Sequence, residues 1–444
     1  MTVVSKAGMQ WKNWAGTVKS RPSRIVFPES VDDVVGIVKQ CVEQGLRIRA
    51  VGSGHSFTRL VQTDECLISL DRLQGLASVD PEKGIVEVWA GTKLKALGDQ
   101  LCSHGLSQEN LGDINAQSIA GAVSTGTHGT GIRFGSLSTQ VVGLTIVTAA
   151  GEVLNCSTES HPSLFPALQV SLGLLGVIVK VRLRVIPLLK LRYESMRLSV
   201  ETCLDQLDTW RTENRHFEFF LFPYSRLVQA KRMNETAEPP SPHLRWNHFK
   251  QLVLENGFFW LLSESCRLFP SLCPSVSRLS AKAVPSVSGA GLSHRLFATP
   301  RLVRFHEMEY SVPADRMKEV VEEIQEAIER HRFAVHFPIE CRYVKKDDIW
   351  LSPAYERDSA YIAVHMYKGM PYQAYFSCIE EIFWKHEGRP HWGKMHGMDI
   401  AGLHKAYPRL GDFLAVREKW DPHNLFANDY LAQLFGIAPD SPQR

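Results

Sequence analysis

The sequence predicts an α+β chain of two domains, and three observations carry that reading. Helix and strand signals alternate through residues 1–187 of a chain of 444. Two segments crowded with glycine, 52–56 and 111–135, interrupt that alternation. Beyond residue 300, runs that alternate apolar and polar side chains point to antiparallel strands. With 44% hydrophobic and 22% charged residues the composition is that of a globular protein. Lys plus Arg number 50 and Asp plus Glu 47, a net charge of +3, and no basic run occurs. That balance argues against nucleic acid as a main partner.

The first helix is announced by Pro28-Glu29-Ser30. Ser30 is a natural N-cap, and Asp32 and Asp33 suit the positive helix end. Val31, Val34, Val35, Val38, Cys41 and Val42 follow a helical period, and Gly45 can close it in a left-handed conformation. A strand over 46–51 runs directly into Gly52-Ser53-Gly54-His55-Ser56. Strands are expected at 66–70 and 85–89, a helix over 93–104, and strands again at 141–148 and 177–185. Pro187 marks the first domain boundary. Residues 188–300 read as helical patterns around a loop rich in Pro and Ser at 238–242, with 281–300 as linker. A helix over 312–331 and strands at 334–343 and 360–367 follow. The expected domains are therefore 1–187, 188–411 and a return over 412–444.

The nine cysteines are odd in number and contain no CxxC. This favours buried free thiols in a reducing, cytoplasmic setting, and the spacing supports no structural zinc site. No stretch approaches the ~20 apolar residues of a membrane span. Residues 257–262 (Gly-Phe-Phe-Trp-Leu-Leu) are read as a buried helix in preference to a membrane-surface contact.

The chemical signals begin with the Gly-Ser-Gly-His-Ser turn. Its glycines let backbone approach a ligand closely, and successive N–H groups can cradle a pyrophosphate. A nicotinamide fingerprint would need a third glycine at 57, where Phe57 stands. Gly121-Ala-Val-Ser-Thr-Gly-Thr-His-Gly-Thr-Gly131 offers a second surface free of bulk, and two such surfaces favour a dinucleotide. Glu340 and Arg342 lie two apart on an expected strand and share a face. Without further context they read as an ordinary ion pair. His391, His396 and His365 lack the spacing of a zinc helix, so no metal is expected. Trp11, Trp14 and Trp392 read as core aromatics.

Taken in order, Pro28-Glu-Ser-Val-Asp-Asp-Val34, the 51–56 turn and Ile119-Ala-Gly-Ala-Val-Ser-Thr-Gly-Thr-His-Gly129 resemble the FAD domain of vanillyl-alcohol-oxidase flavoproteins. Trp11-Lys-Asn-Trp-Ala-Gly16, Glu340-Cys-Arg342, His391-Trp-Gly-Lys-Met-His396 and Asp421–Leu431 are similar to the sugar-lactone and polyol oxidase branch. The resemblance spans about Trp11 to Leu431 and implies the fold of that family, with an antiparallel-sheet cap over the flavin. It implies that Gly52, Ser53, Gly54, His55 and Ser56 hold FAD on one side, with a covalent bond through His55. Ser118, Gly121, Thr125, Gly126, Thr127, His128 and Ile178 would line the other. It implies hydride transfer from a carbinol to the flavin, with Glu340, Arg342 and Lys394 as catalytic groups and Asp113 and His365 as substrate contacts. Asp113 departs from the small apolar residue of animal gulonolactone oxidases. The implied substrate is an aldono-1,4-lactone, with an alditol such as xylitol as the alternative. The implied acceptor is O2, with Gly112 as a candidate gate, and a dehydrogenase using another acceptor is the rival.

Overall fold

The computed structural model describes residues 4–6, 9–242, 256–298 and 303–438. Its first helix, Val31–Glu43, shows how locally the sequence dictates structure. Ser30 accepts from the Asp33 N–H, and the Asp33 carboxylate accepts from the Ser30 N–H, a reciprocal capping box. Val34, Ile37, Val38 and Cys41 are buried, whereas Val42, expected on that face, is 52% exposed.

Two sheets build the first half. Arg24–Phe27 pairs in parallel with Cys66–Ser69, which pairs in parallel with Ile48–Val51. An antiparallel sheet runs Val153–Cys156, Val141–Val147, Val177–Arg184, Ile85–Trp89, Leu76–Asp80. The second half is dominated by one antiparallel sheet of eight strands, ordered Val287–Leu292, Lys190–Ser199, Leu227–Glu235, His216–Leu221, Ile339–Val344, Ser359–Tyr367, Phe305–Pro313, Arg389–Pro390. Near the C-terminus the chain returns to the first half. Leu425 C=O accepts from the Ile48 N–H at 2.7 Å, and the Asn428 amide donates to the carbonyls of Arg59 and Gln62.

Two expectations fail here and a third is trimmed. Residues 188–300 contribute four strands of the large sheet, and 287–292 is one of them, not linker. Its Val-Ser-Gly-Ala-Gly-Leu run pairs along Lys190–Ser199, where small residues suffice because the partner strand fixes the backbone. The helix expected over 312–331 is present as Met317–His331 after a 3-10 turn over Ala314–Arg316, and only its first two residues belong to the strand Phe305–Pro313. The 257–262 stretch is helical within Asn256–Leu268, yet Phe258, Trp260 and Leu261 are each more than half exposed. Among the described residues no helix is long and apolar enough to cross a membrane.

Candidate active site

The two glycine-rich segments meet. A Cβ on Gly52 would lie 2.0 Å from Ser118 Oγ and 3.2 Å from its Cβ, so a larger residue here requires the Ser118 side chain to move. Gly54 sits at φ +68°, a conformation that glycine adopts without strain. Together the segments wall a cleft lined by Gly52 to Ser56, Ser118, Gly121, Thr125 and Ile178. Sequence reasoning missed Arg49, Leu172, Gly173 and Gly176 on the same wall. Leu172 carries a left-handed backbone (φ +54°) that a sequence pattern does not reveal. Buried Arg49 supports it by donating to the Leu172 carbonyl at 2.6 Å.

The cleft fits a dinucleotide. Among the described residues, the N–H groups of Ser53, Gly54, His55 and Ser56 make no backbone hydrogen bond, leaving a run of donors for an anion. The loop itself is held from outside. The Trp14 N–H donates to Gly54 C=O at 2.7 Å, and Lys93 Nζ donates to Ser53 Oγ at 2.9 Å. Trp14 stacks on His55 with centroids 5.8 Å apart, so it is more than the core aromatic expected. Trp392 is core, 1% exposed. Burial, with Lys394 and Lys93 nearby, drops the His55 imidazole to about 4, so the ring is neutral near pH 7.

Gly126, Thr127 and His128 do not line this cleft. Thr127 Oγ1 accepts from the Gln117 amide, and His128 turns to Glu309 at 3.2 Å and packs on Tyr361. The turn after the short helix Ile119–Ser124 redirects the chain there, with Gly126 at φ +71°. A Cβ on Gly112 would lie 3.0 Å from the His128 carbonyl oxygen.

Charges gather on one face of four adjacent strands. Glu218 opposes Arg342, Glu340 and Glu309 flank Ala363, and His365 opposes Glu307. Arg342 pairs with Glu340, with Glu218 at 3.2 Å and with Asp113 at 3.3 Å. Burial works against its charge, but Glu340, Asp113 and Glu218 hold the guanidinium charged. Lys231 reaches Glu218 at 3.1 Å. Lys394 bonds Glu307 and lies 3.8 Å from Glu309. Burial opposes its charge as well, and these two carboxylates overcome it and raise its pKa. Lys394 thus has carboxylates of its own. His365 Nδ1 donates to Pro338 C=O at 2.9 Å, and its Nε2 lies 3.5 Å from Glu307. Glu218, Glu307 and Glu309 were missed because their partners lie far away in sequence. Alternation on the strands His216–Leu221 and Phe305–Pro313 was the available signal.

One strip of backbone joins this face to the cleft. His391 N–H donates to Glu309 C=O and Met395 N–H to Glu307 C=O, both at 2.9 Å, which pins Lys394 beside the carboxylates. Within the same strip, Gly393 C=O accepts from the Phe57 N–H at 2.7 Å, two residues beyond His55. The ammonium and the imidazole are thus fixed by a common element.

Residues 22–157 match an FAD-binding domain, and residues 181–434 match the D-arabinono-1,4-lactone oxidase family. An L-gulono-1,4-lactone dehydrogenase of Mycobacterium tuberculosis is 42% identical over 96% of this chain and 99% of its own. An L-gulonolactone oxidase of Bos taurus is 34% identical over 96% of this chain and 98% of its own. A cholesterol oxidase crystal structure from B. sterolicum superposes with a TM-score of 0.81 at 17% identity, covering 98% of this chain and 97% of that one, and shares the fold. Fold, cleft and matches define an FAD-dependent oxidoreductase that acts on a CH–OH donor. Within that class the chain belongs to the D-arabinono-1,4-lactone oxidase family.

Proposed function

We propose that this enzyme oxidises an aldono-1,4-lactone of the L-gulono-1,4-lactone type at its C2 hydroxyl, giving ascorbate or an analogue. In this reading residues 1–187 with the 412–444 return hold FAD, through Gly52 to Ser56, Ser118, Gly121, Thr125 and Ile178. Residues 188–411 present the substrate. Bound FAD supplies the hydride acceptor. Neutral His55 is the expected covalent tether. The chain's own task is the hydroxyl proton. As it leaves, negative charge grows on oxygen, and the Lys394 ammonium and Arg342 guanidinium stabilise it in a dry site. Arg342 is held by Glu218 and Asp113 as well as by Glu340, so it keeps partners when Glu340 takes a proton. We assign that role to Glu340. Asp113 acts through Arg342, and His365 orients substrate hydroxyls.

The single observation that carries the proposal is the Lys394 ammonium, held charged by Glu307 and Glu309 and tied by one backbone strip to the His55 loop. The proposed final acceptor is O2. A second reading, a lactone dehydrogenase with another acceptor, is favoured by the name of the 42% identical relative. Turnover of L-gulono-1,4-lactone and xylitol, followed with an oxygen electrode and with a dye acceptor, tests both points. Oxygen uptake with the lactone alone supports the proposal. Turnover of xylitol but not lactone overturns the substrate, and dye reduction without oxygen uptake overturns the acceptor.

A further inference from the structure

Away from the flavin cleft, three soft ligands converge. Cys266 lies on the helix Asn256–Leu268, and Cys273 opens the helix Cys273–Ala283. His336 stands between the helix Met317–His331 and the strand Ile339–Val344. All three side chains are fully buried, and their ligand atoms lie within 4.8 Å of one another. Cys273 Sγ is 3.9 Å from His336 Nδ1. A thiolate and an imidazole sharing a tetrahedral zinc ion stand roughly 3.6 Å apart, given bonds of about 2.3 and 2.0–2.1 Å. For this pair a shift of a few tenths of an ångström reaches that geometry.

We propose that Cys266, Cys273 and His336 bind a zinc ion that clamps the outer helix pair to the catalytic sheet. Charge favours this choice. Two thiolates and a neutral imidazole cancel the two positive charges of zinc, so the assembly is neutral in an apolar surround of Phe259, Phe337 and Tyr367. The ring's outer nitrogen is already matched, with Nε2 2.9 Å from the buried Ser263 hydroxyl. An Nε2–H donated to Ser263 leaves the Nδ1 lone pair facing the sulfurs, the arrangement a metal-binding histidine needs. A disulfide would use both thiols but leave that lone pair buried without a donor. Zinc uses all three groups. The site is structural: His336 lies two residues before Pro338, whose carbonyl accepts from the ring of His365, and four before Glu340.

The test is made on the FAD-loaded full chain, purified without chelators. Metal analysis is expected to find about one zinc per chain. Cys266→Ser and His336→Gln should lose it while keeping the flavin spectrum, and Cys102→Ser should keep it. Exchange into Co2+ should give thiolate-dependent bands in the red, beyond the flavin bands, in wild type only. Should the variants not fold, zinc release from wild type on mercurial treatment, read by a chromophoric chelator, decides the matter. A wild-type protein that after reduction takes up neither zinc nor Co2+ overturns the proposal, as does zinc retained by both variants. A Cys266–Cys273 disulfide in the purified protein, with no metal uptake after reduction, overturns it in favour of a redox bridge.

Discussion

The cofactor cleft and the charged face solve their problems with different parts of the chain. The cleft is built from backbone and small side chains, and its residues sit in short contiguous runs such as Gly52 to Ser56. The charged face is built from long side chains drawn from four strands, a loop and the His391–Met395 strip. A binding surface that must lie flat against a ligand needs the absence of bulk. A surface that must stabilise a moving charge needs full charges, each matched by others brought from a distance.

The contrast can be broken at its sharpest point by Lys394→Met. We expect anaerobic flavin reduction by the lactone to fall about 10³-fold, with FAD still bound. An unchanged reduction rate would remove Lys394 from the reacting end. The cleft should fail in the opposite way. Gly52→Ala sets a Cβ against Ser118 Oγ, so FAD content should drop at least about tenfold, and adding Ser118→Gly should restore part of it. Equal FAD content in the single variant would show that the two loops do not need this approach. Next in size comes His55→Ala. Flavin should move from the acid-precipitated pellet to the supernatant, with activity reduced roughly tenfold.

The smallest effect concerns pH. Burial raises the Glu307 pKa, but Lys394 and His365 outweigh it and bring the carboxyl to about 2, against 4.5 for an unperturbed glutamate. A depressed carboxylate stabilises the fold above its unfolded value and loses that contribution as pH falls through the folded one. Glu307→Gln should therefore lower the melting temperature most above about pH 5, and the gap to wild type should close as pH falls towards 2. A gap that does not change with pH would mean that the pair contributes packing and no charge.

Much of the first region was legible because its determinants are local. The capping box at Ser30 and Asp33, the Gly-Ser-Gly-His turn and the strand Ile85–Trp89 each lie within a few residues of the signals that predict them. His128 misled because it adjoins residues that do line the cleft, and one turn at Gly126 sends it to Glu309. In the second region Glu340 and Arg342 were legible as a same-face pair, but Glu218, Glu307 and Glu309 were not. Their function depends on register between strands up to 124 residues apart, as for Arg342 and Glu218. The cysteine–histidine cluster was invisible for the same reason, Cys273 and His336 standing 63 positions apart. The strand Val287–Leu292 hid behind glycine and serine, which describe a linker until a neighbouring strand supplies the pairing.

The most direct measurement is an anaerobic titration of the purified yellow enzyme with L-gulono-1,4-lactone, followed in the visible spectrum. The account predicts stoichiometric bleaching of the flavin by the lactone. A flavin that keeps its colour with the lactone while xylitol or another alditol bleaches it would contradict the account.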